Sequence, residues 1–382
     1  MQFFAPTHVY LEKNCVDNHK QELLSYGKRA FIITGKHSSA VNGSLADVLA
    51  VLDEASVPYL IYNDIEENPS VETVAKAAAE GKEFQADFVI GIGGGSPLDA
   101  AKAIALLIAN PQEDACCLYE PKDLKALPVI AIPTTCGTGS EVTPNAVLTR
   151  HAFKTKKSIS YNIYPELALV DGKYLASANG RLLIHTAVDA LAHCVESRLH
   201  AKANVYNHMF SEYGLSLWGQ LAPVLEQIAA GPDAVPSSLS DEDLESFMLA
   251  STVAGMAIAQ TTTSLPHAIS YEITYNHGVP HGKACGIFLA AYMDEYARNN
   301  PEDVNQVLSL LGFDSRESFG EYLRRLLGYV AITEEESNLY ADNIMANASK
   351  LSTYPFPIDR EAILRILTCS LDVTYRRNKG IR

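Results

Sequence analysis

The chain has no surplus of basic residues, no uninterrupted apolar run long enough to span a bilayer, and no cysteines at metal-finger spacing. Lys and Arg number 30 against 45 Asp and Glu, giving a formal net charge of −15. Most of such a surface repels nucleic-acid phosphates and anionic membranes. Neither is therefore an expected partner, and any anionic ligand must be met by a local site. The opening residues MQFFAPTHVYLEKN lack a basic leader and a long apolar core, so no secretion signal is expected. Membrane helices need about 20 apolar residues in a row, and no such run occurs. The seven cysteines are odd in number and only Cys116 and Cys117 are close in sequence, which fits free thiols in a reducing cytoplasm.

What is present describes a globular protein. Hydrophobic residues make up 47% and charged residues 20% of 382 positions, and that length is too great for one small core. From about residue 29 to 172, apolar runs (RAFIITG, PYLIYND, DFVIGIGGG, PVIAIPTT) alternate with helical patterns (SLADVLAVLDEAS, SVETVAKAAAEGKEF, PLDAAKAIALLIAN). Alternation of this kind implies a parallel sheet with helices on its faces and ligands beyond the carboxyl ends of its strands. After about residue 178 the strand signals stop and helix-like segments follow at 181–199, 203–229, 241–260 and 284–298. The expected architecture is an α/β, Rossmann-like nucleotide-binding domain over 1–178 and an all-α domain over 179–382. No repeat or long linker separates the halves, so a cleft shared by both is the expected place for chemistry.

Two loops stand out in the first half. GIGGGSPLDAAK (Gly91 to Lys102) follows an apolar strand and opens a helix. Its glycines allow close backbone approach, and the free amides of the helix start suit a phosphate. Ser96 fits the N-cap, Pro97 the first helical position and Asp99 the third. A tight structural connection explains the same residues. Ser96 also stands where GxGxxG needs its third glycine, and the turn follows the third strand of the region instead of the first. PTTCGTGSEVTP (Pro133 to Pro144) follows the fourth strand and supplies Thr134, Thr135, Thr138 and Ser140. Taken alone it is ordinary turn chemistry; beside the glycine turn it favours a nucleotide.

In the second half, Asp189 and His193 are four residues apart in HTAVDALAHCVES and share a helix face. They suit two ligands of one ion or a surface Asp–His hydrogen bond, with Glu196 solvated or paired. His267, His277 and His281 follow in HAISYEITYNHGVPHG, but Gly278 and Pro280 remove helical spacing as a guide to the last two. Imidazoles with a carboxylate suit Fe(II) or Zn(II) better than Mg or Ca. Such a set serves a structural or a catalytic ion equally well.

GGGSPLDAAK, PTTCGTGSEVTP, DALAH and PHG, in this order, resemble the iron-containing (group III) alcohol dehydrogenases of the dehydroquinate synthase-like superfamily, over nearly the whole chain. The resemblance implies a divalent metal (Fe2+ or Zn2+) on Asp189, His193, His267 and His281, and NAD(H) or NADP(H) over two loops. Gly94, Gly95, Ser96 and Asp99 fall on the pyrophosphate turn and its helix, and Thr134, Thr135, Thr138 and Ser140 on the second cofactor loop. Lys157 in KTKKS resembles a lysine that relatives place near the cofactor. Gly35, followed by Lys36, His37, Ser38 and Ser39, stands where many NAD-preferring relatives have Asp, so Gly35 and Ser38 are placed on the cofactor and NADP(H) is expected to be tolerated. Tyr271 occupies a position where many members have another histidine and is the candidate proton relay or substrate contact. His277 matches no ligand position.

The implied reaction is hydride transfer between a nicotinamide and a small alcohol or aldehyde. Residues 261–282 look most like the branch reducing aldehydes with an anionic head, such as sulfoacetaldehyde or phosphonoacetaldehyde, with Thr261, Thr262, Thr263 and Asn276 as candidate contacts. The competing readings are a dehydroquinate synthase-like lyase, a polyol dehydrogenase, and a non-catalytic nucleotide-binding protein with a structural metal. A homodimer or larger homo-oligomer is the assembly the resemblance implies.

Overall fold

The computed structural model describes residues 3–153, 155–231 and 239–374. It divides into two compact units: Phe4–Asn179 with Ser237–Ala259, and Met1–Phe3, Gly180–Pro236 and Gln260–Arg382. A single division at 178/179 therefore does not describe the helix Asp241–Thr261, most of which joins the first unit. The reason is close packing. A Cβ on Gly139 would run into the backbone of Gly255, and Glu141 accepts a hydrogen bond from Thr252 Oγ1 at 2.9 Å.

The first unit is built on a six-stranded sheet. In chain order the strands are β1 His8–Leu11, β2 Ala30–Gly35, β3 Tyr59–Ile65, β4 Phe88–Gly93, β5 Val129–Pro133, the pair β6 Val147–Arg150 and β7 Thr155–Ser158, and β8 Leu167–Val170. β6 and β7 form a separate antiparallel ribbon, and the main sheet has the order β1-β8-β5-β4-β2-β3, parallel throughout. Sequence patterning found β2 to β5 but not the four-residue strands, which are too short to show a period.

β2, β4 and β5 are apolar and buried on both faces, as strands covered by helices on either side must be. Phe31 and Ile33 pack into one core layer; Ala30 and Ile32 pack into the other. From β2 the chain passes outward to β3, returns to the other side of β2 as β4, and continues to β5 and β8. The β2/β4 junction is thus a topological switch point, where α/β sheets receive ligands. The loops after β2, β4 and β5 all open at this edge.

The second unit is mostly helical, with a short parallel pair, Ala331–Thr333 and Asp372–Thr374, that the sequence did not suggest. Its central helix, Gly180–Arg198, is buried at every position from Ala187 to Arg198, which explains its weak amphipathicity. Around it lie Val205–Ala230, Leu265–His277 and His281–Gly286. Gly282 lets the last of these approach closely: a Cβ there would collide with the carbonyl of His185 and lie 3.1 Å from Asp189 Cβ. The sequence HG therefore has a packing reason, since the glycine brings the preceding histidine beside Asp189.

Candidate active site

The glycine turn and the threonine loop meet at the switch point. Thr134 N donates to Gly93 O at 3.0 Å. A Cβ on Gly94 would lie 3.0 Å from Thr135 Oγ1, and one on Gly95 would lie 2.7 Å from Thr138 Cγ2, so the absence of side chains here is what lets the loops touch. Gly93, at φ 147°, is the one member whose backbone itself favours glycine. The helix begins at Gly95, with Gly94 as its N-cap, two residues before the expected cap. Ser96 is not the cap because its Oγ accepts from Asn68 N at 3.0 Å. The amides at the helix start remain suited to an anion.

Asp99 and Ser140 come together, but facing inward. Ser140 Oγ donates to Asp99 Oδ1 at 2.6 Å, Lys102 Nζ donates to Ser140 Oγ at 2.8 Å, and Val147 N donates to Asp99 Oδ2 at 2.8 Å. This network bolts the loop after β5 to the helix after β4. Burial pushes the Lys102 ammonium down to about 8. Lys157 is exposed on β7, 5.9 Å from the Tyr119 ring centre. Its neighbour Lys156 is tied to the glycine turn instead: Lys156 Nζ donates to Asn68 Oδ1 at 2.8 Å, and Asn68 holds Ser96. Adjacent lysines on an unrecognised four-residue strand cannot be told apart by pattern.

After β2, Gly35 is partly exposed and Ser38 is exposed at the start of the short helix Ser38–Val41. Ser39 is buried and accepts from Thr34 Oγ1 at 2.6 Å. Lys36 pairs with Asp64 of β3 at 3.0 Å, an exposed contact worth little in stability.

In the helical unit, three helices deliver a donor cluster that is buried except at His281. One ligand atom each from Asp189, His267, His281 and Cys285 lies within 4.8 Å of the others. His267 Nε2 is 3.5 Å from Asp189 Oδ1, and His281 Nε2 is 3.9 Å from the same oxygen. His193, 5% exposed, stacks on His267 with ring centres 4.7 Å apart. Cys285 was not anticipated, although its position four residues after His281 puts it on the same helix face; its Sγ is 3.8 Å from both ring nitrogens of His281.

Glu196 lies behind this cluster. Fully buried, it takes the backbone amide of Ser264 and holds His267 Nδ1 at 2.5 Å. A carboxylate on one imidazole nitrogen fixes the tautomer and turns the other toward an ion. Burial alone would raise the Asp189 carboxyl, but His193, His281 and His267 hold it well below the usual range. Burial keeps His193 down at about 4, so that it is a neutral donor near pH 7.

Asp189 Oδ1 and His267 Nε2 are buried without a hydrogen-bond partner, a costly condition for polar atoms. Two orphaned donor atoms facing each other, with imidazoles and a sulfur beside them, fit a divalent transition ion.

Tyr271 remains 37% exposed, its ring parallel to that of His281 at 5.9 Å. His277 faces elsewhere, with Nε2 2.9 Å from Tyr340 Oη. Of the threonines before His267, Thr261 is buried with Oγ1 2.9 Å from Ser197 Oγ, Thr262 Oγ1 lies 3.3 Å from His200 Nε2, and Thr263 Oγ1 accepts from Lys350 Nζ at 3.2 Å. Asn276 bonds back to Glu272 O at 2.9 Å.

Two family models span the chain: iron-containing alcohol dehydrogenase over residues 6–172 and the C-terminal part of the Fe-containing alcohol dehydrogenase family over 183–371. The 4-hydroxybutyrate dehydrogenase of Clostridium kluyveri is 31% identical over 78% of this chain and 82% of its own length. The chain belongs to the iron-containing alcohol dehydrogenase family. An NADPH-dependent butanol dehydrogenase of Clostridium saccharobutylicum is 28% identical over 76% of this chain and 72% of its own. The crystal structure of an iron-containing alcohol dehydrogenase from Thermotoga maritima superposes with a TM-score of 0.87 at 35% identity, covering 97% of this chain and 99% of that one. This iron-containing alcohol dehydrogenase is accordingly an oxidoreductase of CH–OH groups that uses NAD(H) or NADP(H) and a divalent metal ion, which sets aside the lyase and the non-catalytic readings. Its substrates are small alcohols and aldehydes. No described helix is long and apolar enough to cross a membrane.

Proposed function

We propose that the enzyme reduces short aldehydes carrying an anionic head, and oxidises the matching alcohols, with Asp189, His193, His267 and His281 as metal ligands. The observation that carries the reading is the orphaned pair Asp189 Oδ1 and His267 Nε2, the histidine following directly on the segment that presents Thr262 and Thr263. When bound, the ion supplies Lewis-acid polarisation of the carbonyl oxygen and the nicotinamide supplies or accepts the hydride. Everything else falls to the chain. Glu196 holds His267 so that Nε2 faces the ion. Amides at Gly95 and Ser96 would bind the pyrophosphate, beside the threonine loop. Tyr271, stacked on His281, holds the proton exchanged with the substrate oxygen. Gly35 leaves room for a 2′-phosphate, so NADP(H) is accepted alongside NAD(H). A cytoplasmic homodimer or larger assembly completes the proposal.

Likeness to a 4-hydroxybutyrate dehydrogenase supports a carboxylate head; sulfonate and phosphonate heads share its charge and its need for donors. Likeness to a butanol dehydrogenase favours the uncharged alternative, with polyols as a further competitor. A panel of 4-oxobutanoate, sulfoacetaldehyde, phosphonoacetaldehyde, butanal and glycerol, followed by nicotinamide absorbance with each cofactor, decides among them. The anionic aldehydes are expected to show the highest kcat/KM. Equal or better activity on butanal or glycerol would end the anionic-head reading and leave the dehydrogenase itself intact.

A further inference from the structure

Lys13, Lys20, Lys36, Lys122 and Lys173 of this acidic chain each form an ion pair with a carboxylate. Lys350 does not: among the described residues its ammonium has no ion-pair partner and a single hydrogen bond, to Thr263 Oγ1. It is nonetheless fixed in place. Asn347 caps its short helix by accepting from Lys350 N at 3.2 Å. Three residues on, Thr353 Oγ1 donates to Ser264 Oγ at 2.9 Å, and Thr353 O accepts from Ala201 N at 2.9 Å. The turn that carries the lysine is thereby tied to the 262–264 loop.

That loop is itself unusual. Thr262 has φ 84°, a left-handed conformation that a β-branched residue adopts only where its surroundings enforce it, and such residues gather at ligand sites. Ser264, next to the lysine's partner, gives its amide to Glu196, the carboxylate that holds the His267 ligand. Lys350, Thr263, Ser264, Glu196 and His267 thus form one connected series from a cation to the metal cluster. Burial pushes the Lys350 ammonium below its usual range, and the opposing influences come from Glu196 and the Cys285 sulfur, the first behind the cluster and the second within it. An ammonium with three donors and one acceptor, in a partly desolvated place, is suited to a small anion.

We propose that Lys350, with Thr263, is the receptor for the anionic head of the substrate and sets the preference for charged over uncharged aldehydes. This rests on the reading that the metal cluster is the aldehyde site. The preferred ligand class is a short aldehyde ending in carboxylate, sulfonate or phosphonate, its carbonyl at the ion and its head at the lysine. Lys350 touches the substrate without exchanging a proton, and so acts on specificity.

The test compares 4-oxobutanoate with butanal, equal in carbon number and differing in charge, on the metal- and NADP(H)-loaded enzyme. In the wild type the ratio of kcat/KM should favour 4-oxobutanoate. In Lys350→Met it should fall by about ten- to a hundredfold, the worth of one charge-assisted hydrogen bond, mainly through KM. Lys350→Arg should recover part of the ratio. Calorimetric titration of propane-1-sulfonate, which has no reactive carbonyl, should show the same loss of affinity. If the wild type prefers the charged aldehyde but Lys350→Met leaves the ratio unchanged, or slows both substrates equally, the lysine is not the receptor although the substrate class stands. If the wild type prefers butanal, the substrate class fails first. Should Lys350→Met not fold, Lys350→Gln gives the same comparison with a polar side chain.

Discussion

The two halves of the molecule prepare their ligand sites in opposite ways. At the β2/β4 edge the work is done by backbone: Gly94 and Gly95 give up side chains so that two loops can touch, and the polar side chains nearby, Asp99, Ser140 and Lys102, turn inward to hold those loops. In the helical unit the work is done by side chains. Asp189, His267, His281 and Cys285 converge from three helices, with His193 stacked on His267, and the one glycine that matters, Gly282, serves to seat a helix. A diphosphate is large and is met by many weak amide dipoles, whereas a metal ion is small and demands a few donors at fixed distance. The backbone site should therefore tolerate substitution gradually, and the side-chain site should fail abruptly.

The sharpest contrast is expected from His267→Ala. It removes a proposed ligand and leaves Glu196 buried without its imidazole partner, so bound metal should fall to background on elemental analysis. Loss of a Lewis acid worth several kcal/mol corresponds to about a thousandfold in turnover. Circular dichroism should still report helical protein, because the central helix is buried along its length by packing that the ion does not supply. Unfolding of the helical unit on loss of metal would instead make the ion a structural staple.

A smaller effect separates the ligands from their support. Glu196→Gln keeps the shape and a hydrogen-bonding oxygen but removes the charge that raises the basicity of His267. Competition against a chelator should show metal affinity weakened by about ten- to a hundredfold, with turnover recovering as metal is added. If Glu196→Gln matches the wild type in affinity, the carboxylate is only packing, and the side-chain site is less demanding than the contrast requires.

The same contrast explains what could be read from the sequence. The alternating strands and the two loops were legible because backbone sites are written locally: glycines, small hydroxyl residues and an apolar strand before them. Asp189 and His193 could be placed on one helix face because four-residue spacing is also local. Glu196 could be noticed but not assigned, since its partner His267 is 71 residues away. Cys285 and Lys350 gave no signal at all; a cysteine and a lysine acquire meaning here only from which helices the fold lays beside them. Even the local rules failed once, at Ser96. The capping preference was sound, but Asn68, brought in from the end of a different strand's loop, claimed the hydroxyl first.

The mildest test bears on the backbone site alone. Gly93 is a poor choice for it, since at φ 147° any side chain adds strain of its own. Gly95 lies at the first turn of its helix without a positive φ, so Gly95→Ala changes only the space, placing a methyl 2.7 Å from Thr138 Cγ2. The threonine loop must give way by several tenths of an ångström. It is anchored by the Asp99, Ser140 and Lys102 network and so cannot move freely. About 1 kcal/mol of lost cofactor binding is expected, seen as a KM for NADP(H) raised by roughly five- to tenfold. Metal content should be unchanged, because the substitution alters no residue of the donor cluster. A fall in bound metal on Gly95→Ala would show that the two sites are energetically coupled, and the division between a yielding backbone site and a brittle side-chain site would have to be abandoned.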